Sequence, residues 1–114
     1  MLNQIFAALA DASRRVIVER LARGPASVSE LAQPLDMSLP AVLQHLAVLE
    51  SSGIVKSEKA GRVRTCRIER TALETVADWV AERRASWERR FDRLEALLAE
   101  QEREEREDKK RGKR

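Results

Sequence analysis

Residues 38–55 read SLPAVLQHLAVLESSGIV, and this run carries the boundaries of a helix and the start of something else. Ser38 is an N-cap residue, and Pro40 falls in the first helical turn, where a missing N–H has no cost. Val42, Leu46 and Leu49 then repeat at i, i+4, i+7, which is one apolar helical face. Gly53 ends the helix, and beyond it the period becomes two. The segments Ile54–Lys59 and Arg62–Ile68 flank Ala60-Gly61, a hairpin-turn signal.

Working outward, Ser27-x-x-Glu30 is a capping box that opens a helix over about 29–33, cut short by Pro34. Two short helices joined by a tight turn and followed by a basic hairpin form the outline of a winged helix-turn-helix. Before them, Leu2, Ile5, Phe6 and Leu9 make one apolar face. Asp11 caps a second helix reaching about Arg23, with Ile17 and Leu21 four apart, and Gly24-Pro25 stops it. After the hairpin, Thr71 begins a last helix striped by Leu73, Val76, Val80, Trp87, Phe91, Leu94 and Leu98, with Trp79 beside the stripe. From Thr71 to Leu98 it would run about 42 Å at 1.5 Å per residue. An apolar stripe longer than its own domain calls for a second chain. The expected fold is therefore mostly α with a small β-hairpin wing and a long C-terminal dimerisation helix. Residues 1–98 form one DNA-binding and dimerisation domain, with a recognition helix over about 38–52, a wing over about 54–68 and the terminal helix from 71. Residues 99–114 are a charged solvated tail with seven basic and six acidic side chains.

Charge and scarcity narrow the function. The net charge is only +3, yet residues 56–70 hold six basic residues (Lys56, Lys59, Arg62, Arg64, Arg67, Arg70) against two acidic ones. A cationic patch on one short element is the footprint of a phosphate-backbone contact. One Cys and one His in 114 residues exclude a disulfide framework and a four-ligand Cys/His site within one chain. With four glycines no phosphate loop can be written, and no acid–base or nucleophile–base pair can be nominated, so an enzyme is not expected. No apolar run approaches the roughly 18 residues of a membrane span and no signal segment opens the chain. No membrane association is expected, and the protein is placed in the cytoplasm, on the nucleoid when bound to DNA.

With Val42, Leu46 and Leu49 buried, the opposite face of the Ser38 helix carries Pro40, Ala41, Gln44 and Val48, flanked by Leu43 and His45. Gln44 can pair bidentately with adenine, its bland alternative being a solvent-facing helix residue. Ser38 serves as cap and phosphate contact, and small Pro40 and Ala41 let the backbone approach the duplex and can themselves meet a thymine methyl. His45 reads as a helix-packing residue or a phosphate contact; no second ligand stands at i+3 or i+4, so neither metal nor cofactor is expected. On the wing, Arg62 and Arg64 alternate with Val63, which places the arginines on the open face beside Lys59. Cys66 reads as a small buried hydrophobe, and the two tryptophans as core or interface anchors.

The run LADASRR at residues 9–15, then SELA at 29–32, SLPAVLQHLAVLESSGIV and GRVRTCRI at 61–68 resembles the ArsR family of bacterial winged-helix repressors. The likeness covers roughly residues 2–98. It implies a homodimer built from the first and last helices (Leu2, Ile5, Phe6, Leu9, Trp79, Trp87, Phe91, Leu94, Leu98), binding a double-stranded operator. The Ser38 helix would lie in the major groove and the 56–67 wing on the backbone. The chain departs from the family's metal-sensing members, lacking a thiol in ELAQPL and any His in the last helix. It also has Leu43 where the family pattern shows Ser, which either shifts the operator preference or moves that contact to a neighbour. The rival expectation is a protein-interaction module on a winged-helix scaffold that has lost specific DNA binding.

Overall fold

The computed structural model describes residues 1–112. Its elements run α1 (Leu2–Leu9), α2 (Ala12–Leu21), β1 (Ala26–Ser27), α3 (Val28–Ala32), α4 (Leu39–Ser52), β2 (Val55–Ala60), β3 (Val63–Ile68) and α5 (Arg70–Gly112). The chain divides into two units, one ending at Ala77 and one beginning at Asp78.

Local chemistry sets the boundaries in the first unit. The Asp11 carboxylate accepts from the N–H groups of Ser13 (2.8 Å) and Arg14 (3.1 Å) to start α2. Ser27 and Glu30 satisfy each other's backbone donors at the head of α3. Gly53 leaves α4 in the left-handed region at φ +88°, a conformation that would strain a side-chain-bearing residue. Ser52, buried in that last turn, donates to the Leu49 carbonyl (2.7 Å) and accepts from Ile54 N–H (3.3 Å), so the chain leaves the helix with its polar groups paired.

The hairpin differs from the expected one in two ways. Ala60 pairs with Val63, so the two-residue turn is Gly61-Arg62, one position later than the Ala60-Gly61 reading. Gly61 takes φ +64° while Arg62 has no positive φ, the sign pattern of a type II′ turn. Along β3, Cys66 is buried and Arg64 and Ile68 half-buried, whereas Val63, Thr65 and Arg67 are exposed. Arg64 thus shares the inward face with Cys66 instead of standing on the open one. Side chains alternate strictly along a strand, and the buried thiol fixes which parity faces in. The hairpin also gains a third strand: β1 pairs antiparallel with β3, Ala26 opposite Cys66, in the order β1-β3-β2.

The core joins Ile5 and Ala8 of α1, Ile17 and Leu21 of α2, Leu31 of α3, Val42, Leu46 and Leu49 of α4, and Ile54, Val55 and Cys66 of the sheet. Ala72 and Val76 bring the first turns of α5 onto it. Ile5, expected at a dimer interface, is instead wholly enclosed within the chain's own core. The apolar face of α1 is wide enough to divide, since Leu2 and Leu9 are half-buried and Phe6 stays exposed.

In the second unit α5 continues through the tail to Gly112, with every residue from 99 to 112 exposed. Lys113 and Arg114, the end of the expected tail, lie outside the described residues. Trp87 and Phe91 stack with ring centroids 5.9 Å apart. The guanidinium of Arg83 lies 5.2 Å from the Trp79 ring centre, and that of Arg90 5.6 Å from Trp87. Such contacts along one helix restrain the aromatic side chains without burying them.

Candidate nucleic-acid interface

With Val42, Leu46 and Leu49 turned into the core, α4 presents Leu39, Pro40, Leu43, Gln44, Ala47 and Val48 to solvent. Ala41 and His45 sit half-buried at the margins. No Lys or Arg occurs in α4, so the helix lacks the side chains that read guanine O6 and N7 in the fork-like manner. What it offers is one exposed amide among apolar side chains. Ser38 Oγ accepts from Ala41 N–H at 3.4 Å, which uses the oxygen as a cap and leaves its O–H as a donor.

A polar cluster ties this helix to α1. Arg14 Nε donates to the Ala8 carbonyl (2.6 Å), Nη2 to Ala7 (3.4 Å), and Nη1 lies 3.3 Å from His45 Nδ1. Arginine only donates, so Nδ1 is the acceptor and the neutral ring carries its proton on Nε2. Arg15 Nη1 donates to the Leu9 carbonyl at 2.8 Å. Together the paired arginines satisfy three carbonyls at the end of α1, where the helix dipole favours cations. Asp11, 3.9 Å from Arg14, is held below the usual carboxylate value, first by the Arg14 N–H; burial, next in size, opposes this, and the Ser13 N–H and the Arg14 charge add to the lowering.

Of the six basic residues, Arg70 heads α5 and the five on the wing divide. Lys56 pairs with Glu69 (3.4 Å) and Arg67 with Glu58 (3.3 Å). Arg64 is clasped by Glu50 of α4 and Ser57 of β2: Ser57 Oγ donates to Glu50 Oε1 (2.6 Å) and accepts from Arg64 Nε (2.9 Å), while Arg64 Nη2 donates to the same carboxylate. Lys59 and Arg62, at the exposed hairpin tip, make no ion pair among the described residues. Glu50, Ser57 and Arg14 were absent from the sequence-derived site. Arg14 stood only within the LADASRR run, and for Glu50 and Ser57 the hint was the mixture of charges itself.

Cys66 is buried, and burial pushes its thiol up; nearby Arg64 opposes that shift and Glu50 adds to it. A buried thiol kept protonated is a poor nucleophile. Among the described residues no three His, Cys, Asp or Glu side chains gather as metal ligands, and no helix is long and apolar enough to cross a membrane.

A capped helix pair whose second member shows its outer face to solvent, braced by an antiparallel hairpin, defines a winged helix-turn-helix protein. A family model described as a helix-turn-helix domain matches residues 9–58. The chain is 48% identical over 74 residues to the HTH-type transcriptional regulator Rv2034 of Mycobacterium tuberculosis, covering 65% of this chain and 69% of that one. The crystal structure of the ArsR family transcriptional regulator RHA00566 is similar with a TM-score of 0.73 and 53% identity, over 76% of this chain and 96% of that chain. The solution structure of Mb0332 from Mycobacterium bovis, described as a homodimeric winged helix-turn-helix DNA-binding domain, is similar with a TM-score of 0.60 and 27% identity, over 71% of this chain and 78% of that chain.

The chain belongs to the ArsR family of winged helix-turn-helix transcriptional regulators. It is a transcriptional regulator with a helix-turn-helix DNA-binding domain.

Proposed function

We propose that the protein is a homodimeric, sequence-specific repressor that needs no metal or cofactor and acts in the cytoplasm on the nucleoid. The observation that carries this reading is the outward face of α4, where Gln44 stands exposed among Pro40, Leu43 and Val48, together with the exposed Lys59 and Arg62 at the wing tip. α4 enters the major groove, and Gln44 pairs with adenine N6 and N7. Pro40, Ala41 and Leu43 meet thymine methyls, so Leu43 directs the helix toward A·T pairs. Ser38 and His45 donate to phosphates at the groove's edge, and Lys59 and Arg62 hold the flanking backbone. Residues 1–98 supply DNA binding and dimerisation, and residues 99–112 stay in solvent.

The dimer is supported by the stripe on α5. Trp87, Phe91, Leu94 and Leu98 are each exposed to between 50 and 57%, more apolar surface than one helix keeps in water without a partner. A second copy of α5 covers them, joined by Leu2, Phe6, Leu9 and Trp79. Two recognition helices about 34 Å apart read an inverted repeat with half-sites about 10 bp apart. Occupancy of that operator blocks polymerase access.

Selection of bound duplexes from a random library at about 150 mM salt tests this reading. An inverted repeat with one-turn spacing is expected, and inserting about half a turn between half-sites should abolish specific binding. Indifference to spacing would remove the symmetric dimer. Enrichment of nothing beyond length would leave electrostatics alone and favour a protein-interaction module on this scaffold.

A further inference from the structure

The Glu50–Ser57–Arg64 clasp differs in kind from the other wing ion pairs. Arg67 and Glu58 are 52 and 76% exposed, the class of surface pair that contributes little. Arg64 and Glu50 are only 34 and 28% exposed, and Ser57 closes a triangle that joins the late turns of α4 to both wing strands. Two donor groups of the guanidinium, Nε and Nη2, are committed to this triangle. Their planar fork fixes the direction of the whole side chain. Arg64 also lies on the inward parity of β3 with Cys66, not with the exposed Val63, Thr65 and Arg67.

We infer that Glu50 is a positioning residue for DNA binding: it holds the Arg64 guanidinium off the phosphate backbone and so limits the wing's sequence-independent grip to Lys59 and Arg62. The inference rests on the proposed duplex-binding function. Each cation on a phosphate strengthens binding to every sequence alike and steepens its salt dependence. A wing cation spent on an internal carboxylate therefore sets an upper limit on non-specific affinity. The same clasp fixes the wing against α4, so that reading helix and backbone contact move as one body.

The test is the salt dependence of binding to a duplex of about 30 bp that lacks any selected operator, between about 50 and 300 mM salt. Glu50→Gln keeps the shape and removes the charge that holds Arg64. Its slope of log K against log salt should steepen by about 0.9, with about fivefold tighter binding near 150 mM. The double variant Glu50→Gln/Arg64→Ala should return to the parent's slope. An unchanged slope in Glu50→Gln overturns the inference. So does steepening that survives in the double variant, because it would belong to the lost Glu50 charge alone. An independent reading uses the unaltered protein labelled with ¹⁵N-arginine. The Arg64 Nε–H resonance should stay in place when the same duplex is added, and its displacement overturns the inference. Absence of binding to any duplex, selected operators included, would instead remove the functional reading beneath it.

Discussion

The body ending at Ala77 and the helix beyond it carry the same kind of apolar repeat and treat it oppositely. In the body, Ile5, Ile17, Leu31, Leu46, Leu49 and Ile54 are shut away from water. From Asp78 to Gly112 no described residue is buried, although Trp87, Phe91, Leu94 and Leu98 repeat at helical spacing as regularly as any stripe in the body. Periodicity identifies a face and is silent about what covers it. Ile5 makes the same point from the other side: its spacing matched an interface, and its own chain encloses it.

The sharpest break in this comparison is Leu46→Ala, which empties the centre of the body. Chemical denaturation should show a loss of about 2–5 kcal/mol. A loss below about 1 kcal/mol would mean the core collapses around the gap. Substitution in the second unit should behave differently. Phe91→Glu with Leu94→Glu should leave the body's helical signal in place and reduce the mass in sedimentation equilibrium from two chains to one. A mass that does not change would remove α5 from the assembly.

A third test returns to the body's surface. Gln44→Ala should cost about 1–3 kcal/mol at one or two base pairs of the selected operator and nothing elsewhere. A uniform loss over all sequences would make Gln44 a structural residue. The smallest effect concerns acid. Asp11 and Glu30 are both held below their ordinary values, Asp11 chiefly by the Arg14 N–H and Glu30 by the backbone N–H and then the hydroxyl of Ser27. A carboxyl depressed by folding contributes stability above its unfolded value and loses it as pH falls through the folded one. The parent should therefore lose stability as pH drops below about 4, and Asp11→Asn should lose less over that interval. Parallel pH profiles for the two proteins would exclude the cap as a source of acid lability.

What could be read from the sequence was what neighbouring residues decide among themselves. Asp11, the Ser27–Glu30 box, Ser38, Pro40 and Gly53 act over two to four positions, and each marks the boundary it was expected to mark. The outward face of α4 followed from a single periodic stripe. The features that escaped are contacts between distant positions. Glu50 meets Arg64 fourteen residues away and Arg14 meets His45 thirty-one away, and neither partner carries a local signature. The two residues of β1 are too few for a period. The parity of β3 was misread because Val63 sits at the hairpin tip, where an apolar side chain has no core beneath it.

Arg14 also limits how far this chain can vary. Its guanidinium meets two carbonyls at the end of α1, the His45 ring on α4 and, at longer range, the Asp11 carboxylate at the head of α2. Lysine would keep the charge but bring a single ammonium on a flexible stem in place of a rigid fork. It could not span these acceptors at once. At position 14 the exchange usually counted as conservative is therefore a disruptive one, and tolerance to mutation there follows the shape of the donor, not its sign.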